Sequence, residues 1–133
     1  MKTATSAKPL KVVDASALVA VIFREDGAEA IAARLDDSRL IAPALLDVEL
    51  LNASVKKFRG NEAQRPAIVE LFASRNQILW ERRQVDHDAV FHLAVAAGLT
   101  GYDACYLWLA QSENAELVTL DQQLAAAFAK TLI

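Results

Sequence analysis

Val12-Val13-Asp14-Ala15-Ser16-Ala17-Leu18 is the stretch on which the fold turns, because a strand pattern passes into a helix pattern there without a break. The β-branched pair Val12-Val13 reads as the end of a short buried strand, and Ala15 to Phe23 continues as a helix that Asp14 or Ser16 can cap. The same arrangement recurs near the other end of the chain, where Glu116 to Leu120 runs through Asp121 into Gln122 to Ala129.

Between these two junctions the pattern keeps alternating. Gly27 to Leu35 is an Ala-rich helix after the turn-forming Asp26-Gly27, and Arg39 to Ala42 is a strand candidate. Pro43 suits the first turn of a long helix running to about Phe58 and stopped by Gly60. Asn61 to Ser74 predicts a helix with Pro66 in or near its first turn, and Gln77 to Trp80 a short strand. Asp86 to Ala97, stopped by Gly98, and Thr100 to Gln111 predict two more helices, and Thr131 to Ile133 a strand stub. Short strands separated by helices imply an α/β fold with a parallel sheet covered on both faces, and in such folds ligands gather at the carboxyl ends of the strands.

With 133 residues, 54% of them hydrophobic, the chain has the length of one domain, 1–133, able to bury a core without cross-links. Cys105 has no partner for a disulfide and reads as a small core residue, which suits a reducing, cytoplasmic location. No signal-peptide pattern and no uncharged run of membrane-spanning length is present, so no membrane role is expected. A net charge of −3 argues against a generic basic nucleic-acid binder. The basic clusters Lys56-Lys57-Phe58-Arg59 and Arg82-Arg83 read as solvated helix ends and loops.

Four acids stand where apolar elements should carry no charge: Asp14, Glu49, Asp103 and Asp121. Helix capping accounts for Asp14 as well as a site role does and for Asp121 slightly better, and Asp103 follows Thr100 at the spacing of a capping box. Glu49 lies in mid-helix with no terminus to cap, on a face shared with Leu45, Leu46, Asn52 and Ala53. Asn52, one turn on, can hydrogen-bond it or a ligand's water. If the fold gathers the four, their repulsion calls for a cation, and a carboxylate set without His or Cys suits a hard ion such as Mg²⁺ or Mn²⁺. His87 and His92, five apart, do not share a helical face as a zinc pair would, and the chain has no glycine-rich phosphate loop, Ser-His-Asp set or CxxC.

In order, Val12 to Leu18, Pro43 to Ala53, Leu99 to Leu107 and Leu117 to Asp121 resemble the PIN-domain ribonucleases, and among them the VapC toxins of bacterial toxin–antitoxin pairs. The resemblance spans Val12 to about Ala129. It implies a three-layer α/β/α sandwich whose central parallel sheet has four to five short strands, and an Mg²⁺-dependent endoribonuclease, with Mn²⁺ as a substitute. By position Asp14, Glu49 and Asp103 are similar to the family's metal-ligating catalytic acids and Asp121 to its more variable fourth, supported by Ser16, Asn52 and Thr119.

The partners implied are an RNA substrate, a second copy in a homodimer, and a cognate antitoxin. The antitoxin's tail would cross the pocket and an apolar groove of the early helices. Phe23, Ile31 and Leu35 are candidates to line it, although ordinary core packing explains each of them better. An antitoxin arginine can occupy a carboxylate cluster in place of a metal. Two departures stand out. Gln122-Gln123 replaces the basic residues common after the fourth acid, and the C-terminus is short. A silent PIN-like protein-binding module and a metal-dependent phosphatase are the competing readings.

Overall fold

Parallel strands cannot be joined by tight turns, and each connection between strands here carries two helices. The computed structural model describes residues 8–131. β1 (Leu10–Val13) leads to α1 (Ala15–Ile22) and α2 (Ala28–Leu35), and β2 (Arg39–Pro43) to α3 (Leu45–Gly60) and α4 (Arg65–Ala73). β3 (Glu81–Arg83) then leads to α5 (His87–Ala97) and α6 (Gly101–Ser112), and β4 (Glu116–Val118) to α7 (Gln122–Lys130). All pairings are parallel, in the order β3-β2-β1-β4, with Val12 opposite Ile41 on one side and Leu117 on the other.

The two inner strands are apolar because both their faces are covered. Val12, Val13, Ile41 and Ala42 are fully buried, and α6 lays Tyr106, Leu107, Leu109 and Ala110 against the sheet. Burying one such Val or Leu side chain is worth roughly 1.5–3 kcal/mol, so the inner strands and α6 hold the layers together. The α/β/α sandwich expected from the pattern is thus the observed one. Its strand order reverses between β1 and β4: from β1 the chain steps toward β2 and β3, then crosses back to the opposite edge. A crevice opens at such a switch point, outside the carboxyl ends of the two strands.

Two expectations need correction. The third strand is Glu81–Arg83, not Gln77 to Trp80; Ser74–Gln77 closes a 3-10 turn and Leu79 points into solvent, 81% exposed. An edge strand needs partners more than apolar side chains. Arg39 bonds Glu81 at 3.0 Å, Arg82 grips Asp47 through bonds of 2.6 and 2.7 Å, and Arg83 lies 3.7 Å from Glu113. These pairs sit at the register where Glu81 faces Ile41 and Arg83 faces Pro43. At the C-terminus, Thr131 lies in a turn after α7, and the rest of the proposed fifth strand falls outside the described residues. The described sheet has four strands.

Most helix ends follow the sequence, but Pro43, expected in the first turn of α3, is the last residue of β2, and Gly60, expected to stop α3, is its last helical residue. Pro66 falls in the first turn of α4, and Asp86 caps α5 by accepting from Ala89 N at 3.1 Å. Gly98 ends α5 with φ +67°, a conformation that disfavours any side chain.

Candidate active site

Asp14 is the last residue before α1 and is almost fully buried, 5% exposed. Its Oδ1 accepts from Ala17 N at 3.0 Å, the N-cap bond, and from Ser16 Oγ at 2.8 Å. Its Oδ2 accepts from Thr119 Oγ1 at 2.6 Å. The two hydroxyls also reach backbone, since Ser16 Oγ accepts from Leu120 N at 2.9 Å and Thr119 Oγ1 from Asp121 N at 2.9 Å. Ser16 and Thr119 therefore stitch the β1 and β4 junctions together around one carboxylate. Each carboxylate oxygen has two acceptor positions, so Oδ2 keeps one open after Thr119 is satisfied.

Asp121 caps α7, accepting from Leu124 N at 2.9 Å through Oδ1 and leaving Oδ2 unbonded among the described residues. Asp103 behaves differently from a capping-box acid. Thr100 Oγ1 accepts from Asp103 N at 3.1 Å, but among the described residues the reciprocal bond from the Thr100 backbone to the Asp103 carboxylate is missing. The Asp103 carboxylate has no partner there at all, so capping does not explain it.

Glu49, midway along α3, accepts from the hydroxyl of Tyr106 at 2.5 Å. Tyr106 is 1% exposed, so its ring is core and its hydroxyl meets Glu49 beneath the surface. This residue was not among those singled out in the sequence, although it follows Asp103 by one helical turn and is the only hydroxyl in a stretch of buried apolar residues. Asn52, expected beside Glu49, makes no bond to it among the described residues; it is exposed on the same face.

The four acids act on one another. Burial pushes the Asp14 carboxyl above the usual carboxylate range against the pull of Thr119, Ala17 and Ser16, and the charge of Asp121 adds to the rise. Glu49 is raised by burial, against the Tyr106 hydrogen bond, with Asp103 and Asp14 pushing the same way. Asp103 is raised by burial and by Asp121 and Asp14. Eight ion pairs are formed among the described residues, and none includes any of these four acids. Fold and charge together leave negative field at the switch point uncompensated by protein.

The donor set suits a hard divalent cation: carboxylate oxygens only, with oxygens of Asp103 and Asp121 free. Among the described residues no three acids are placed to hold one ion by themselves. An ion there would be held partly through water rather than in a closed protein cage. A cavity of about 810 Å³ between the ends of β2 and β3 and helices α5 and α6 includes none of the four acids and is mainly apolar. A smaller groove of about 310 Å³ does reach Glu49, running between α1 and α3 past Ser16, Asn52 and Lys56. Cys105 lines the large cavity, half-buried, with its thiol pushed up by burial and by Glu49, as an inert packing residue would be. Ordinary core packing, the stronger expectation for Phe23, Ile31 and Leu35, holds for the last two. Ile31 and Leu35 are core, and Phe23 lies under Lys57 Nζ at 5.4 Å.

Sheet order, crevice and carboxylates together define a parallel α/β domain with an acidic centre at its switch point. The PIN-domain pattern matches residues 11–129, and the chain belongs to the PIN-domain family. It is 34% identical over 127 residues to Ribonuclease VapC3 of Pyrobaculum aerophilum, across 88% of this chain and 93% of that protein. The crystal structure of PAE2754 from the same organism superposes with a TM-score of 0.72 at 27% identity, covering 93% of each chain. Among the described residues, no single helix is long and apolar enough to cross a membrane.

Proposed function

We propose that this protein is a VapC-type endoribonuclease, the toxin of a toxin–antitoxin pair, hydrolysing RNA phosphodiester bonds with Mg²⁺ or Mn²⁺ at Asp14, Glu49, Asp103 and Asp121. The observation that carries this reading is the unpaired state of the four acids at the β1/β4 crevice; the likeness to Ribonuclease VapC3 supplies the substrate class. A divalent ion bound there supplies positive charge that polarises a phosphodiester and acidifies water.

The chain's own residues have separable tasks. Asp14, fixed by Ala17 N, Ser16 and Thr119, offers one oriented lone pair from a rigid junction. Tyr106 holds one oxygen of Glu49, and the other has no hydrogen-bond partner among the described residues. Asp103 and Asp121 keep oxygens free at the mouth to take a cation or to receive a proton from attacking water. Burial of Asp14 and Tyr106 limits water and strengthens each of these interactions. A cytoplasmic location, an antitoxin that masks the crevice, and a homodimer complete the proposal.

The test is cleavage of total RNA by purified protein with Mg²⁺ or Mn²⁺ against a chelator control. Activity should require the ion and be lost in Asp14→Asn and Asp103→Asn. Cutting that persists in chelator, or in both variants, would overturn the assignment.

A further inference from the structure

The Lys56-Lys57-Phe58-Arg59 run looks in sequence like one solvated basic cluster, yet the fold sends its cations to three different places. Lys57 pairs with Glu25 and lies over the Phe23 ring. Arg59 lines an apolar recess between α3 and α4 with Leu51, Val55, Phe58 and Phe72. Lys56 alone faces the groove that begins at Glu49, and among the described residues it forms no ion pair and no side-chain hydrogen bond. Ala15, Val19 and Ala53 give that groove a shallow floor, with Ser16 and Asn52 as its other polar lining residues.

On α3, Glu49, Asn52, Ala53 and Lys56 follow one another at helical spacing, so Lys56 stands two turns from the acid, about 10 Å along the axis. That separation leaves Lys56 from competing with a metal for Glu49. A polyanion brought to four carboxylates needs a cation close by, because the metal cannot neutralise the flanking phosphates as well. The chain just after Asp121 supplies none: Gln122 and Gln123 follow it, and Gln123 is occupied with the Gly98 carbonyl at 3.1 Å.

We infer that the α1–α3 groove is a phosphate subsite for the RNA strand next to the cut, with Lys56 carrying the charge and the Asn52 amide donating a hydrogen bond. This rests on the ribonuclease reading above. It adds the direction in which the strand leaves the acids: along α3, toward Lys56.

The test measures binding of a fluorescein-labelled, mixed-sequence, single-stranded oligoribonucleotide by anisotropy in chelator over a salt series, alongside cleavage with Mg²⁺. Lys56→Met keeps the apolar stem and removes the charge. It should weaken binding about tenfold at low salt and lower the slope of log K against log salt by about 0.7, the value for one phosphate contact on a single strand. KM for cleavage should rise with kcat nearly unchanged, and the Mg²⁺ concentration that half-shifts the melting temperature should stay the same. Lys56→Arg should restore binding, and Arg59→Met, one turn on but facing the other recess, should behave as wild type. Equal binding and slope in Lys56→Met and wild type would overturn the subsite, as would an equal loss in Arg59→Met, which would mean diffuse charge alone. If the wild-type protein neither binds nor cuts RNA, the ribonuclease reading falls and the subsite with it; if the wild type cuts and Lys56→Met is unaffected, only the subsite falls.

Discussion

The two sides of the crevice are built on different principles. On the strand side, Asp14 and Asp121 each cap a helix, and Asp14 also accepts from two hydroxyls. On the helix side, Asp103 bonds nothing among the described residues and Glu49 meets only Tyr106. A strand-side acid is therefore held by the fold and also holds it, whereas a helix-side acid is present at a cost to the fold. Truncation to alanine therefore separates stability from function on the second side only.

The largest expected effect breaks that comparison at Asp14. Asp14→Ala removes the cap of α1 and leaves Ser16 and Thr119 without their shared acceptor, so it should lower stability by about 1–2 kcal/mol, from the usual worth of a cap and a hydrogen bond. It should also reduce RNA cleavage by at least about 10²-fold, the scale of losing one preorganised electrostatic group. Asp14→Asn, which can still cap, should lose the same activity and keep the melting temperature. Calorimetry beside a cleavage assay reads both, and an active Asp14→Asn would remove this residue from the chemistry.

Next come Glu49→Gln and Asp103→Asn. Each should cut activity about 10²-fold, but in metal-free protein each should raise the melting temperature, because it deletes one member of a set of unpaired, mutually repelling charges. A fall in melting temperature for Asp103→Asn would show that its carboxylate has a structural partner after all.

The pH dependence of metal-free stability follows from the same groups. Asp14, Glu49 and Asp103 all have native values above their ordinary 3.8, 4.5 and 3.8, so the folded state binds protons that the unfolded state has released. Their contribution is fully present below those ordinary values and is lost as pH rises through the raised ones. In chelator, then, these acids should make the protein lose stability as pH rises above those ordinary values. Mg²⁺ or Mn²⁺ should restore it at neutral pH, since a ligand bound only by the native state raises stability. Unfolding curves at matched pH with and without the ion check this; a melting temperature indifferent to both ions at neutral pH would argue against the metal site.

How much of this was legible in the sequence depends on where each residue's partner lies. Strands β1 and β4 could be read because each is a short apolar run that leads into an acid capping the next helix, although β1 is an inner strand and β4 lies at the edge of the sheet. β3 could not, because its place is set by Arg39, Asp47 and Glu113, remote in sequence, and the more apolar segment before it looked the better strand. In the same way Asp103 had a local explanation that the structure withdraws, while Asp14 and Asp121 have local roles that the structure retains. Glu49 was anomalous in the sequence and has a partner in the fold that spacing on α3 alone never suggests.

That partner gives the smallest effect and the sharpest test of the helix side. Tyr106→Phe keeps the buried ring and removes only the hydroxyl that bonds Glu49. Burial and the neighbouring Glu49 charge raise the phenol far above its ordinary value, so it stays a donor across the working range, and its loss is purely one of position. Glu49 would then be free to choose rotamers, and the affinity of the crevice for Mg²⁺, read as the ion concentration that half-shifts the melting temperature, should weaken about three- to tenfold, the scale of one hydrogen bond. Cleavage at saturating Mg²⁺ should fall by no more than about tenfold, because the carboxylate itself remains. Were Tyr106→Phe to bind Mg²⁺ as wild type does while Glu49→Gln did not, Glu49 would be positioned by α3 alone, and the two sides of the crevice would be equally rigid.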